Sequence, residues 1–264
     1  MNIVSRRSDG YHNLESVFYP IPLCDTLTVS EAPGEAGTCI LHLSGMSLEG
    51  STDDNLVVRA YRLMAADFPL PHVEVSLKKV IPSQAGLGGG SSDAAAMLKA
   101  LNELADLRLD ADTLRAYAVR LGADCAFFVA SAPAYATGIG EVLTPMGSDV
   151  PLHGKHMVLV KPPVAVSTRE AYARITPRQP ALHCADTAVL PVTLWRGRLT
   201  NDFEDSVFPD FPEIAAIKER LYGMGAEFAL MSGSGSSVFG LFGTPPELTD
   251  NSFENSQVYQ MKLQ

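Results

Sequence analysis

The sequence predicts an α+β protein, and three local patterns indicate this class. Residues 72–78 alternate apolar and polar side chains, which is the period of a half-buried strand. Residues 55–68 carry apolar side chains at helical spacing. A run of glycines that begins at Gly86 separates a strand from a helix rich in Ala and Leu. Strands and helices are therefore mixed along the chain, and neither type dominates.

The elements of the first half follow from the same patterns. In chain order they are extended segments at 15–30 and 38–43, the helix at 55–68, the strand at 72–78, a helix after the glycines, a helix at 111–121, and strands around Tyr135 and Val142. Asp53 or Asp54 is expected to cap the first helix, because a short acidic side chain can accept a hydrogen bond from its free N–H groups. We expect a right-handed crossover around the glycine loop to complete this layer.

The second half is expected to form a separate domain. The segment 150–154 is a plausible boundary, so the predicted domains are residues 1–152 and 153–264. The elements predicted after it are a strand at 155–161, a helix that begins at Ser167 or Thr168, a helix within 207–221, and strands at 227–231 and 238–242 around a second glycine-rich turn. The polar tail after Pro245 gives no clear prediction.

Composition and charge exclude some classes of protein. A formal net charge of −10 argues against a general nucleic-acid-binding protein, which needs a basic excess to neutralise phosphates. It leaves open an anionic nucleotide, because a pocket can be locally positive on an acidic protein. No stretch approaches the roughly 20 apolar residues of a membrane span. The expected partner is thus a small molecule, with neither nucleic acid nor membrane involved.

The cysteines and the start of the chain bear on its compartment. The cysteines are scattered, with no CxxC pair, and the first residues show no apolar signal core. Disulfide frameworks belong to short secreted chains, so the sequence favours a reducing cytoplasm.

The strongest chemical feature is the run from Gly86 to Asp93, with the sequence GLGGGSSD. Glycines allow positive φ and a close approach of the backbone to a ligand. The following helix adds free N–H groups and a positive dipole end, which suit a phosphate. The hydroxyl of Ser91 or Ser92 would serve a phosphate or Mg²⁺. The alternative is a flexible loop capped by serine, since glycine loops are common.

This run does not match the common nucleotide-binding motifs. Ser91 follows Gly90 where a Walker loop needs Lys, and it also occupies the position of the last glycine in GxGxxG. The HRD and DFG segments of protein kinases are absent from the sequence.

Three segments together resemble the GHMP kinases, the superfamily of galacto-, homoserine, mevalonate and phosphomevalonate kinases. They are the segment from Pro82 through the glycine run, the segment 122–128 (GADCAFF) and the turn 232–237 (SGSGSS). The middle segment resembles GADxPFF, with Ala126 where Pro is usual. The resemblance implies a ribosomal-protein-S5-like N-terminal domain that binds ATP and a ferredoxin-like C-terminal domain. It also implies Mg²⁺ as a cofactor.

Other segments resemble one branch of this superfamily, the kinases of a diphosphocytidyl derivative of methylerythritol. They are 6–12 (RRSDGYH), 54–56 (DNL) and 201–204 (NDFE). The substrate implied is a cytidine diphosphate derivative of the non-mevalonate isoprenoid pathway.

One family feature lies outside the sequence. The family begins with a strand carrying an Ala-Lys-Ile-Asn-like motif, whose Lys lies beside the catalytic Asp, and Met1 comes after that point. A misplaced start, a truncation and an impaired protein are the three explanations. The first two are favoured because every later motif is intact.

The resemblance implies that Asp124 is the general base that takes the proton from the substrate hydroxyl. An ordinary carboxylate is ionised at neutral pH and can accept a proton as the hydroxyl attacks. Taken alone, an Asp after Gly122 and Ala123 is more simply a helix cap.

The ATP site implied by the resemblance consists of the glycine run and three residues that precede it along the chain. The residues are Asn55, Lys79, Pro82, Gly86, Leu87, Gly88, Gly89, Gly90, Ser91 and Ser92, of which Ser92 is also the expected Mg²⁺ contact. For Lys79 alone, a solvated strand end is the simpler interpretation.

The resemblance implies that Tyr11 and His12 bind the cytidine moiety and that Tyr172 stacks on the cytosine from the other side, with Thr168 one helical turn before Tyr172. Stacking on an aromatic ring contributes about 1–3 kcal/mol per base. Without the resemblance, Tyr172 would be ordinary core and His12 a surface turn residue.

Other arrangements of His and Cys residues are less well supported as sites. His153 and His156 have the spacing H-x-x-H but no third ligand nearby, and Cys39 and His42 face opposite sides of a strand. Cys125 has no identifiable base for a nucleophile. The rival functions are another GHMP kinase, of homoserine or mevalonate type, and a non-catalytic nucleotide-binding relative.

Overall fold

The computed structural model describes residues 1–47, 50–249 and 251–264. The chain packs as two compact units. The terminal unit consists of Met1–Pro22, Gln84–Leu87 and Pro133–Gln264, and the central unit consists of Leu23–Ser83 and Gly88–Ala132. These units are defined by packing, and they interleave along the chain. The division at residues 152 and 153 stays a prediction.

Strands and helices are mixed along the chain in runs of each type, which confirms the α+β class. The strands are β1 Asn2–Arg6, β2 His12–Phe18, β3 Thr26–Glu31, β4 Cys39–Gly45, β5 Val73–Lys79, β6 Ala134–Thr137, β7 Val142–Pro145, β8 His156–Lys161, β9 Phe228–Met231, β10 Val238–Phe242 and β11 Gln257–Lys262. The helices are α1 Leu56–Ala65, α2 Gly89–Leu104, α3 Ala111–Leu121, α4 Cys125–Ala130, α5 Thr168–Ala173, α6 Cys184–Ala188, α7 Phe203–Val207 and α8 Pro212–Gly223. Among the described residues, no helix has both the length and the apolar character needed to cross a membrane.

The central unit is built on a small sheet with the strand order β3-β5-β4. In β5 the side chains of Val73, Val75 and Leu77 are fully buried, while the intervening residues are exposed. This alternation lets one face of the sheet pack against helices α1 and α2. Strand β4 runs parallel to β5 and β3 runs antiparallel to it.

The terminal unit contains two antiparallel sheets, with the strand orders β1-β2-β6-β7 and β11-β8-β10-β9. One core joins Ile3 and Leu14 of the first sheet to Val158 and Val160 of the second. A separate cluster collects around Trp195 and Phe228, whose rings meet edge to face. Burial of apolar side chains from both sheets thus stabilises the unit.

Most predicted elements are confirmed, and the differences have local causes. Asn55, rather than Asp53 or Asp54, caps α1, because its Oδ1 accepts a hydrogen bond from Val57 N at 2.9 Å. Ser167 caps α5 as expected. The parallel crossover is β4–α1–β5, so it precedes the glycine loop instead of surrounding it.

Two strands were not predicted: β11 depends on a partner distant in sequence, and β1 belongs to a local hairpin. Strand β11 lies in the polar tail and pairs with β8 over its whole length. Its side chains are mostly exposed, so it has the polar character of an edge strand. Strand β1 pairs with β2 across a turn in which Gly10 adopts a φ of +90°.

Candidate active site

Helix α2 of the central unit begins at the glycine run and presents free backbone N–H groups. Gly88 is the N-cap residue with a φ of +67°, and no side chain caps the helix. A Cβ at Gly88 would lie 2.8 Å from the ring of Phe128, so glycine is required for both conformation and space. The first turn carries Ser91 and Ser92, which are partly buried. An uncapped N-terminus of a long helix favours an anion.

Lys79 stands at the end of β5 in a buried cluster of charges. Its ammonium donates to Asp93 Oδ2 at 2.6 Å and also to Asp25 Oδ2. The three side chains are 3%, 7% and 3% exposed in the order Lys79, Asp93 and Asp25. Burial raises the pKa of Asp93 to about 6, even though the bond from Lys79 acts in the opposite direction. The interpretation of Lys79 as a solvated strand end is wrong.

Asp124 lies between α3 and α4, at the N-cap position of α4. Its side chain makes no capping hydrogen bond, so the simple capping role considered above is not observed. The residue is exposed as a whole, but the protein around its carboxyl group partly shields that group from water, and this burial raises its pKa above the ordinary value. Cys125 beside it is fully buried, and burial raises the pKa of its thiol. The Asp124 carboxylate is therefore not committed to a helix cap.

An aromatic group in the terminal unit brings together two of the residues predicted to hold the cytidine. The rings of His12 and Tyr172 stack with centroids 5.1 Å apart and an interplanar angle of 20°. Phe203 supports Tyr172 edge to face at 4.8 Å. Burial, and then the charge of Arg6, lower the pKa of His12, so its imidazole is neutral at neutral pH. Tyr11 points outward, with 59% of its surface exposed.

The stacked rings leave no room for a base between them. A planar base between two rings needs one stacking distance to each ring. The rings of His12 and Tyr172 are separated by only one stacking distance. A cytosine bound against Tyr172 must therefore displace His12 from this position. Thr168 begins α5 and its hydroxyl lies 2.9 Å from that of Ser234.

The second glycine turn, residues 232–237, is hydrogen-bonded to residues 85 and 86 within the terminal unit. Ser232 Oγ donates to the carbonyl of Gly86 at 2.7 Å, and Ser237 N donates to the carbonyl of Ala85 at 3.2 Å. A Cβ at Gly86 would lie 1.9 Å from Ser232 O, which explains the glycine there. This turn therefore fixes residues 84–87, which lead into the glycine run.

The side chain of Asn201 holds the first residues of the same turn. Its amide Nδ2 donates to the carbonyls of Met231 and Gly233, both at 2.8 Å, while Glu204 accepts from Met231 N at 2.9 Å. Asn201 is buried. The NDFE segment is thus structural support for the turn.

Sequence reasoning missed the group around Glu15, a carboxylate that is 4% exposed. It accepts hydrogen bonds from Asn2, Tyr135, Cys184 N and His183. Burial opposes its ionisation, but these bonds outweigh burial and lower its pKa to about 2. The sequence carried one signal, an acidic residue between Leu14 and the apolar pair Val17 and Phe18 of a strand.

The predicted site residues divide between the two units. The central unit contains Asn55, Lys79, Pro82, Gly88, Gly89, Gly90, Ser91, Ser92 and Asp124, and the terminal unit contains Tyr11, His12, Gly86, Leu87, Thr168 and Tyr172. Asn55 uses its side-chain oxygen to cap α1. In the described parts of the chain, no three His, Cys, Asp or Glu side chains are grouped to hold a metal.

Comparison with protein families identifies the class of this site. The model of the GHMP kinases N terminal domain matches residues 55–132, which include the glycine run and Asp124. The model of the GHMP kinases C terminal domain matches residues 194–255, which include the second glycine turn.

Curated relatives resemble the chain over nearly their full length. A protein of Bacteroides fragilis named 4-diphosphocytidyl-2-C-methyl-D-erythritol kinase is 49% identical over 263 residues, which cover 100% of this chain and 95% of the relative. A protein of Bacteroides thetaiotaomicron with the same name is 51% identical, over 94% of this chain and 90% of the relative.

Solved structures agree with these relatives. A crystal structure of 4-(cytidine 5′-diphospho)-2C-methyl-D-erythritol kinase has a TM-score of 0.76 at 33% identity, over 98% of this chain and 94% of that one. Homoserine kinase from Cytophaga hutchinsonii, at 19% identity and a TM-score of 0.64 over 95% of both chains, shares the fold. The chain belongs to the GHMP kinases and, among them, to the family of 4-diphosphocytidyl-2-C-methyl-D-erythritol kinases. Membership implies ATP as the phosphoryl donor.

Proposed function

We propose that this protein transfers the γ-phosphoryl group of ATP to a hydroxyl of 4-diphosphocytidyl-2-C-methyl-D-erythritol, a step of the non-mevalonate isoprenoid pathway. The observation that carries the proposal is the 49–51% identity to relatives of that name over 90% or more of their length. The solved structure of that name supports it with the same fold at 33% identity.

In this proposal the ATP phosphates bind at the N-terminus of α2. The free N–H groups after Gly88 and the hydroxyls of Ser91 and Ser92 are suitable donors to phosphate oxygens. Gly86 and Leu87 complete the loop, and Pro82 and Asn55 flank the nucleotide. Phosphoryl transfer depends mainly on such positioning and charge stabilisation.

Asp124 is the proposed general base. The substrate oxygen attacks the γ-phosphorus, a new O–P bond forms, the bond to ADP breaks, and the hydroxyl proton passes to the carboxylate. Its exposure and the absence of a capping bond leave this carboxylate available. The raised pKa makes it a better proton acceptor than an ordinary Asp.

We propose that Mg²⁺ arrives bound to ATP. Asp93 is committed to Lys79, and the described residues offer no group of three metal-binding side chains. This fits a Mg²⁺ ion held mainly by phosphates and water, with the Ser92 hydroxyl as a protein contact. When bound, the ion would neutralise negative charge on the phosphates.

The cytosine base is proposed to stack on Tyr172 after the His12 ring moves away. Tyr11 and Thr168 would then contact the cytidine moiety, with His12 still close to the base. The edge-to-face support of Phe203 holds the Tyr172 ring in place for stacking.

We further propose a cytoplasmic location and a division into domains near residue 152. The cysteines Cys24, Cys39, Cys125 and Cys184 are free, which suits a reducing compartment. The two family models match on either side of residue 152.

The test is ADP release with ATP and each of three acceptors: the cytidyl substrate, homoserine and mevalonate. Release with the cytidyl substrate alone is expected. Release with homoserine or mevalonate instead would favour another GHMP kinase. ATP binding without ADP release in the presence of any of the three acceptors would favour a non-catalytic relative.

A further inference from the structure

We propose that the buried cluster of Lys79, Asp25 and Asp93 is a positioning device that fixes the first turn of α2 for the nucleotide phosphates. The inference rests on the proposed ATP site. It assigns to Lys79 a role different from contact with the nucleotide, and it adds Asp25 and Asp93 as functional residues.

The cluster closes the loop between β5 and α2. Lys79 is the last residue of β5, and Asp93 lies in the first turns of α2. The ammonium of Lys79 reaches Asp93 Oδ2 at 2.6 Å, so a charged hydrogen bond spans the connection that carries the glycine run. Charge-assisted bonds of this kind are shorter and more directional than neutral ones.

Asp25 holds the start of the same connection. Its Oδ1 accepts hydrogen bonds from the backbone N–H groups of Val80 at 2.5 Å and Ile81 at 2.9 Å, while its Oδ2 accepts from Lys79. One carboxylate thus fixes the backbone that leaves β5 and also orients the ammonium that binds α2.

Close packing links the segment held by the cluster to the glycine run. A Cβ on Gly89 would lie 2.9 Å from Ile81 Cγ2 and 3.6 Å from Lys79 Nζ. Ile81 is buried, and its backbone N–H is held by Asp25. The first residue of α2 therefore rests directly on the segment that the cluster fixes, and a shift of that segment would move the phosphate-binding N–H groups.

Burial argues against direct contact of the Lys79 ammonium with ATP. The side chain is 3% exposed, and the ammonium lies between two carboxylates that are equally inaccessible. An ammonium that moved away to contact a phosphate would leave both carboxylates buried without their cation, which is costly. Amide side chains could replace the charged groups and still join the cluster by hydrogen bonds. A cluster of this neutral kind provides the test.

The experiment compares ADP affinity by calorimetry, without any acceptor, for Lys79→Gln, Asp93→Asn and the double variant Lys79→Gln/Asp93→Asn. An amide offers one donor end and one acceptor end, so Gln at position 79 places its oxygen against one of the two carboxylates. Adding Asn at position 93 supplies an N–H to that oxygen. Lys155→Gln, the same change in the Lys155–Glu227 pair, is the matched control.

If the cluster positions α2, Lys79→Gln weakens ADP binding by about ten- to a hundredfold, and the double variant returns to within about threefold of the wild type. Lys155→Gln leaves ADP affinity unchanged. A double variant that folds but binds as weakly as Lys79→Gln would overturn the inference, because the ammonium itself would then be the ligand. A wild-type protein with no affinity for ADP would overturn it as well.

A second variant covers the case in which the double variant does not fold. Asp93→Glu keeps the charge opposite Lys79 but lengthens the side chain by one methylene, so it displaces α2 relative to β5. Weaker ADP binding is expected, and unchanged binding would contradict a positioning role. Since the readout is ADP affinity, a protein that binds ADP but does not phosphorylate the cytidyl acceptor would refute the proposed substrate and leave this inference intact.

Discussion

The imidazole of His12 lies against the ring of Tyr172, with centroids 5.1 Å apart and planes 20° from parallel. Both residues were expected to contact a cytosine base, yet in this structure they contact each other. The contact covers one face of the Tyr172 ring, so a base that stacks on this face, as proposed above, would compete with the His12 ring.

This competition predicts the effect of removing the Tyr172 ring. Tyr172→Ala should raise KM for the cytidyl substrate by about tenfold or more, because a base stack contributes about 1–3 kcal/mol. Tyr172→Phe keeps the ring and should stay within about threefold of the wild type. Steady-state kinetics at saturating ATP measures both, and equal KM values for the two variants would contradict the stacking role.

The second prediction concerns Asp124. Asp124→Asn should lower kcat by roughly 10²–10⁴ while ADP affinity stays nearly unchanged, because the amide cannot accept the proton. Asp110→Asn is the matched control, since Asp110 caps α3 and Asn is an equally good cap. Activity of Asp124→Asn within about threefold of the wild type would rule out this base.

The pH profile gives an independent check on Asp124. A general base works only when ionised, so kcat/KM should fall as the pH drops through its pKa. Because the surrounding protein raises this pKa, the acid limb should lie above the ordinary value of 3.8. The limb should be absent from the residual activity of Asp124→Asn.

The third prediction is that Glu15 stabilises the fold in a pH-dependent way. Its folded pKa of about 2 is below its ordinary value of 4.5, so its contribution is present above pH 4.5 and is lost as the pH falls towards 2. The difference corresponds to about 3 kcal/mol at neutral pH. Glu15→Gln should lower the free energy of unfolding by roughly this amount at pH 7.

Urea denaturation at pH 7 and pH 4 tests this prediction. The difference between the wild type and Glu15→Gln should shrink at the lower pH. Glu103→Gln, which changes an exposed glutamate of α2, should have little effect at either pH. A pH-independent difference would mean that Glu15 acts by packing rather than by its charge.

The fourth prediction separates backbone strain from steric clash at Gly86. Gly86→Ala should destabilise the protein more than Gly154→Ala does, by about 1–3 kcal/mol. Both glycines have positive φ, at +70° and +81°, but a Cβ at Gly86 would meet Ser232 O at 1.9 Å, whereas Gly154 faces open space. Denaturation of the two variants gives the comparison, and equal losses would contradict the close contact.

Much of the fold was predictable because it depends on local patterns. The strand with Val73, Val75 and Leu77 on one face and the helix Ala111–Leu121 follow from periodicity alone. Strand β11 was not predictable, since its sequence is polar and its hydrogen bonds come from β8. The predicted N-cap of α1, Asp53 or Asp54, was wrong, and Asn55 is the cap. All three residues are good caps, so only the backbone geometry selects one of them.

The sequence by itself determined the α+β class and the place of the glycine run before a helix, because strand and helix periodicity and glycine conformation are local properties. Tertiary structure alone decided which groups Lys79 contacts. A lysine at a strand end looks solvated until Asp25 and Asp93, which are 54 and 14 residues away along the chain, surround its ammonium. The hydrogen bonds of Glu15 and the stacking of His12 on Tyr172 were likewise decided only by the tertiary structure. Charge pairs and ring contacts depend on distance in space, which sequence spacing does not specify.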